Sequence, residues 1–157
     1  MRLIRLGIVG SKSYKSLCHV DALLDRIYEQ VQRGVNDYVI VSATEPASMV
    51  SRRPPAMDRV DESAIRYARG IGLKTLTSEL TRKQWDDIDG DPVIERRKFL
   101  EEHSDALAAF WDGQSTHTLD VAGRFWEAKK RVQVYGPSGE VFSRVGMAEL
   151  FGRMTVR

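Results

Sequence analysis

The sequence predicts an α/β fold: a single-domain, Rossmann-like unit with a mainly parallel five-stranded sheet and helices on both faces. Three observations predict it. Short, continuously apolar runs recur along the chain, helix-period segments separate most of them, and polar loops of small residues follow several of them. Strands without polar alternation are buried on both faces, which makes the intervening helices the crossovers of a parallel sheet. Right-handed crossovers narrow the topology to a doubly wound arrangement.

Taken in order, the run from Leu3 to Val9 is a first strand, stopped by Gly10-Ser11. Leu17, Val20, Leu23, Leu24, Ile27, Tyr28 and Val31 then recur at three- and four-residue steps, an amphipathic helix that ends near Gly34. Tyr38 to Val41 is a compact, β-branched second strand. From Ser42 to Met57 no apolar period is present, and Pro46, Pro54 and Pro55 oppose regular structure. Asp58 or Asp61 can cap a helix carrying Ile65, Tyr67 and Ala68, which stops at Gly70 and Gly72.

Leu73 to Leu76 gives a third strand. Residues 77–93 are ambiguous, with a short helix over 80–85 and a turn at Asp89-Gly90-Asp91-Pro92. A charged helix with Phe99 and Leu100 on one face covers 94–103, strand four is 106–110, a further helix is 119–129, and strand five is 132–135. The tail carries a short strand at Val141-Phe142 and a helical turn over 147–151. Residues 1–136 are thus the domain, and 137–157 a C-terminal extension packed on it or extending from it.

Composition restricts the function classes. A chain of 157 residues with 42% hydrophobic content supports one core. With 24 basic against 22 acidic residues its surface is mixed, so no nucleic-acid partner is expected. No run approaches membrane-spanning length, and the basic, apolar start is broken by Gly10-Ser11-Lys12 too early for a signal peptide. Cys18 stands alone, which excludes an intrachain disulfide, points to the cytoplasm, and reads as a small buried side chain on a helix. His19, His103 and His117 share no ligand spacing, so no metal is expected, nor any cofactor.

In open α/β sheets, ligands lie beyond the carboxyl ends of the strands, near the point where strand order reverses. Three loops converge there: 10–14, 42–58 and 111–118. The last, Trp111-Asp112-Gly113-Gln114-Ser115-Thr116-His117-Thr118, feeds a helix amino terminus, a place suited to phosphate or carboxylate. A P-loop is excluded at Gly10-Ser11-Lys12-Ser13, because the glycines it needs would fall on Ser11 and Leu6. Trp85, Trp111 and Trp126 read as packing residues, although Trp111 at a strand end could stack on a ligand ring.

The order Gly7-Ile8-Val9-Gly10-Ser11-Lys12-Ser13-Tyr14, then Val60-Asp61-Glu62-Ser63-Ala64-Ile65-Arg66-Tyr67-Ala68, then Ser104-Asp105-Ala106-Leu107-Ala108-Ala109-Phe110-Trp111-Asp112-Gly113-Gln114-Ser115 resembles the YspA-like branch of the SLOG superfamily. That superfamily groups DprA-like and cytokinin-activating LOG-like Rossmannoid domains. The resemblance implies a homo-oligomer that binds a nucleotide or nucleotide-derived ligand. It places Gly10, Ser11, Lys12 and Tyr14 in a first ligand loop, with the loop amides and the Ser11 hydroxyl facing the ligand and Lys12 adding charge.

The family then has a Ser-Gly-Gly-Ala-x-Gly-Val-Asp pattern after strand two. This chain departs there, with Ala43-Thr44 behind Ser42 and an insertion containing Arg52-Arg53-Pro54-Pro55 before Val60-Asp61. Arg52, Arg53 and Arg59 can reach an anionic ligand from that insertion, or serve only as a solvated loop. The family's Arg-Asn becomes Glu95-Arg96-Arg97-Lys98, so either Arg96 or Arg97 points to the ligand while the other is solvated. Asp112, Gly113, Ser115, Thr116, His117 and Thr118 form the remaining wall. His117 stands where the relatives have glycine, as a phosphate donor, an acid or base, or a loop histidine without a task.

LOG-like members hydrolyse an N-glycosidic bond with a carboxylate three residues beyond the loop threonine. Here that position is Val121, and Asp120 points about a hundred degrees away. Asp112 and Asp120 remain as catalytic candidates, since oxocarbenium stabilisation needs a placed carboxylate. Sensing or sequestration is therefore the first expectation and hydrolysis the second. A protein-interaction module working through the Pro/Arg insertion and the tail from Pro137 is a third.

Overall fold

The structure is a computed structural model and describes residues 2–47 and 59–155. Arg52, Arg53, Pro54, Pro55 and the possible cap Asp58 lie outside the described residues.

Five strands, β1 (Arg2–Gly10), β2 (Asn36–Ser42), β3 (Lys74–Thr77), β4 (Ala106–Phe110) and β5 (Arg131–Tyr135), form one parallel sheet in the order β3-β2-β1-β4-β5. Leu6 is the hinge of the register, opposite Ile40 on one side and Ala106 on the other. Strand order therefore reverses between β1 and β4, where the loops that follow them must diverge and leave a crevice.

Helices α1 (Leu17–Gln32) and α2 (Val60–Gly70) cover one face. The other carries α4 (Pro92–His103), α5 (Thr116–Glu127) and α6 (Arg144–Thr155), with the short α3 (Arg82–Asp86) beside α4. Strands β1, β2, β4 and β5 are each divided between two cores, while the edge strand β3 enters neither. Ile4, Leu6 and Ile8 of β1 with Ala106, Ala108 and Phe110 of β4 enter the first, while Val9, Leu107 and Ala109 enter the second. That double burial is why the strands read as unbroken apolar runs. Phe110 lies between Tyr135, stacked at 4.8 Å, and Tyr14, edge-on at 5.6 Å. Burying such a ring contributes about 1.5–3 kcal/mol.

Several boundaries differ from the sequence reading. The residue capping α2 is Arg59, without a side-chain cap bond, whereas Asp61 sits inside the first turn, where its charge suits the positive helix end. A capping box between Thr81 and Gln84 starts α3, and Asp91 accepts from the Val93 amide to start α4 two residues earlier than the apolar pattern suggests. The first residue of α5 is Thr116 rather than Leu119, so Thr116, His117 and Thr118 form a helical turn and not a loop.

In the tail, Val141 makes only an isolated antiparallel bridge to Tyr135, and the expected single turn is the 12-residue α6, which places Met147 and Phe151 in the second core. Cys18 is on α1 but exposed, not buried, because the inward stripe there runs through Val20, Leu24 and Ile27. Among the described residues no helix is long and apolar enough to cross a membrane.

Candidate functional site

At the strand-order reversal, the chain is pulled tight around Ser11. Its amide donates to the Phe110 carbonyl at 2.9 Å, its hydroxyl lies 3.0 Å from that of Thr118, and the Asp112 amide donates to it at 3.1 Å. Three elements, the β1 loop, the β4 loop and α5, meet on one buried side chain. Gly10 leaves β1 so close to α2 that a Cβ there would lie 2.4 Å from the Val60 side chain. The absence of a side chain is what lets the two elements approach.

Asp112 organises the β4 loop. One carboxylate oxygen accepts from the amides of Gln114 at 2.9 Å and Ser115 at 2.7 Å, and the other accepts from the Ser13 hydroxyl. Partial desolvation would raise its pKa, but the bonds from Ser13, Ser115, Gln114 and Ser11 together hold it below the usual carboxylate value. Gly113 supplies the turn with φ +89. Tyr14 faces inward, with its hydroxyl donating to the Gly136 carbonyl at 2.9 Å, and Ser42 is buried in a turn with Thr44.

Beyond the carboxyl end of β1 lies a pocket of about 160 Å³. Of the residues singled out in the sequence, Gly10, Ser11, Lys12, Asp61, Arg96, Arg97, Ser115, His117 and Thr118 line it. Tyr14, Ser42, Asp112, Gly113, Thr116 and Asp120 do not. Arg59 and Arg82 complete its wall, and Val121 closes its floor.

The pocket is strongly cationic, and its arginines divide into two kinds. Arg82 pairs with Asp61 and Glu62, each at 3.2 Å, and Arg97 pairs with Asp120 at 3.1 Å. Arg97 is therefore locked in an ion-pair cluster and is not the solvated member of its pair. The side chains of Arg59 and Arg96 make no hydrogen bond or ion pair among the described residues, although Asp61 and Asp86 attract both, and Glu62 attracts Arg59, from farther away. Both pKa values are lowered, first by desolvation and then by the charge of Arg82. Two half-buried guanidiniums, repelled by a third and attracted by carboxylates only at longer range, lack the close partners that normally accompany buried charge.

His117, exposed on the first turn of α5, is also held below its ordinary pKa by surrounding atoms and then by Arg96. No carboxylate lining the pocket is without a cationic partner among the described residues, since Asp61 is engaged by Arg82. Among those residues no cluster of histidine, cysteine and carboxylate side chains could hold a metal ion.

The sequence reading passed over Arg82. Its local signal is the Thr81–Gln84 capping box, which marks a helix beginning on a basic residue, but its partners are 20 and 21 residues away. A larger groove of about 790 Å³ runs along β5 between α1 and α6. None of the residues singled out as ligand contacts lines it, and the smaller pocket is the one that joins the strand-order reversal to unpaired charge.

No family model matches the chain, and no curated protein matches it. Among solved structures it is similar to a protein provisionally named as an alpha amylase from Salmonella typhimurium, with 12% identity and a TM-score of 0.30. The likeness covers 85% of this chain and 31% of that one, so the chain spans about a third of that protein's length. It is too slight to inform either fold or function.

Proposed function

We propose that the chain binds a nucleotide or nucleotide-derived ligand in the pocket at the strand-order reversal, as a sensor or sequestering domain. The observation that carries this reading is the pair Arg59 and Arg96, two half-buried guanidiniums that make no direct ion pair or side-chain hydrogen bond among the described residues. A phosphate would supply charge and acceptors to both, in charge-assisted bonds roughly twice as strong as neutral ones. The first turn of α5 borders the same space through His117 and Thr118, where a helix amino terminus favours an anion.

Binding is favoured over hydrolysis. Val121 stands at the position that the resemblance assigns to a catalytic carboxylate, Asp120 is drawn off by Arg97, and Asp112 is consumed in its own loop. Calorimetry with AMP, ADP, cyclic AMP and ADP-ribose, followed by chromatography of each mixture for released base, tests both halves. Heat without released base is expected; released base would establish hydrolysis, and no heat with any compound would remove the ligand reading. Cytoplasmic residence and a homo-oligomer complete the proposal, the latter resting on the resemblance and checked by light scattering, where a monomer would contradict it.

A further inference from the structure

We infer that recognition in this pocket ends at the phosphate and the sugar: the ligand class is a phosphorylated pentose or a compound carrying one, with any base unread. The inference rests on the phosphate-binding reading above.

Size is the first reason. The pocket's 160 Å³ is well below the roughly 300–1,000 Å³ of sites that enclose a drug-sized molecule. That space is of the order a phosphate with a sugar needs, and it leaves no room to enclose a base as well. The second reason is the lining. Among the described residues it contains no Phe, Tyr or Trp on which a base could stack, and no Asn or Gln to pair with a base edge.

The nearby aromatic side chains are already committed. Trp111 donates its Nε1 proton to the Ser115 carbonyl at 3.1 Å and sets its ring edge-on to Phe142 at 5.8 Å. Trp85 donates to the Ala43 carbonyl at 2.9 Å, and Tyr14 is held by Gly136.

What the pocket does offer matches a phosphorylated polyol. Arg59 and Arg96, which line the pocket without a direct ion pair among the described residues, provide two cationic forks for a dianion, and Lys12 lines it with them. Ser115, His117 and Asp61 stand within the same lining, where they can exchange hydrogen bonds with sugar hydroxyls. Positive charge without a stacking surface selects for the phosphate end and leaves the other end free.

Calorimetry of the wild-type chain at fixed ionic strength, with ribose 5-phosphate, AMP, GMP, CMP, UMP, adenosine and inorganic phosphate, tests this. Ribose 5-phosphate and the four nucleotides should bind within about five-fold of one another, and adenosine at least about a hundred-fold more weakly. One nucleotide binding more than about ten-fold tighter than ribose 5-phosphate would show that a base is read and overturn the inference while leaving the binding reading intact. Inorganic phosphate matching ribose 5-phosphate would remove the sugar from the recognised class. Absence of heat with every phosphorylated compound would overturn both readings.

Discussion

The hydroxyl of Ser11, at the end of β1, lies 3.0 Å from the hydroxyl of Thr118, in the first turn of α5, and both side chains are buried. The Asp112 amide also donates to Ser11, so one hydroxyl joins the two loops that frame the crevice. Ser11 lines the pocket, yet its hydroxyl is engaged by the protein itself.

Replacing Ser11 with Ala should therefore destabilise the chain by about 1–3 kcal/mol, because it strands the Asp112 amide and the Thr118 hydroxyl. Urea unfolding of Ser11→Ala, Thr118→Val and the double variant measures it. Non-additivity in that cycle is expected, and simple additivity would mean that the two hydroxyls do not interact.

Arg82 is the second point of tension. Among the described residues it is the ion-pair partner of Asp61, and it also reaches the buried Glu62 carboxylate. Arg82→Ala should cost about 1.5–3 kcal/mol in urea unfolding, since it removes charged hydrogen bonds to Asp61 and Glu62. Arg82→Lys should recover only part of that loss, because an ammonium cannot hold both carboxylates through one planar fork. Equal stability of the wild type and the Ala variant would show that the pair is only a surface contact.

His117 sets a pH dependence. Its folded pKa is lowered from 6.5, so the unfolded chain binds the proton more readily. Stability contributed by neutral His117 is present above the unfolded pKa and is lost as pH falls from there toward the folded value. A bound phosphate would oppose the Arg96 charge and raise the pKa again. Proton NMR titration of the His117 ring should give a value below 6.5 in the free chain that moves upward with ribose 5-phosphate, after correction for the phosphate's own ionisation near ~6. A ring that titrates identically with and without the compound would place the phosphate away from α5.

The sheet was legible because burial on both faces leaves a local trace: β4 is apolar and buried at all five positions, and β1 is apolar from Leu6 to Gly10 after Arg5 interrupts it. Helix starts were less so. Thr116, His117 and Thr118 carry no apolar period, and only their position after Ser115 makes them the first turn of α5. Gly146 and Gly152 blur α6, whose hold on the core is two side chains, Met147 and Phe151. Gly10 to Lys12, the basic pair at 96–97 and the polar segment at the start of α5 do line one pocket, whereas most of the glycine-poor loop lies outside the described residues. Which arginine is free was not legible, because that depends on Asp120 meeting Arg97 across 23 residues and Asp61 meeting Arg82 across 21.

The central claim is that a phosphate pairs with Arg59 and Arg96, whose guanidiniums make no direct ion pair among the described residues. The most direct measurement is the calorimetric affinity of AMP for the wild type and for Arg59→Ala, Arg96→Ala and Arg97→Ala, each checked for wild-type circular dichroism. Loss of Arg59 or Arg96 should weaken binding about ten- to a hundred-fold, as removal of a charged hydrogen-bond partner does, with a smaller effect at the already paired Arg97. Affinity unchanged in both Arg59→Ala and Arg96→Ala would contradict the account.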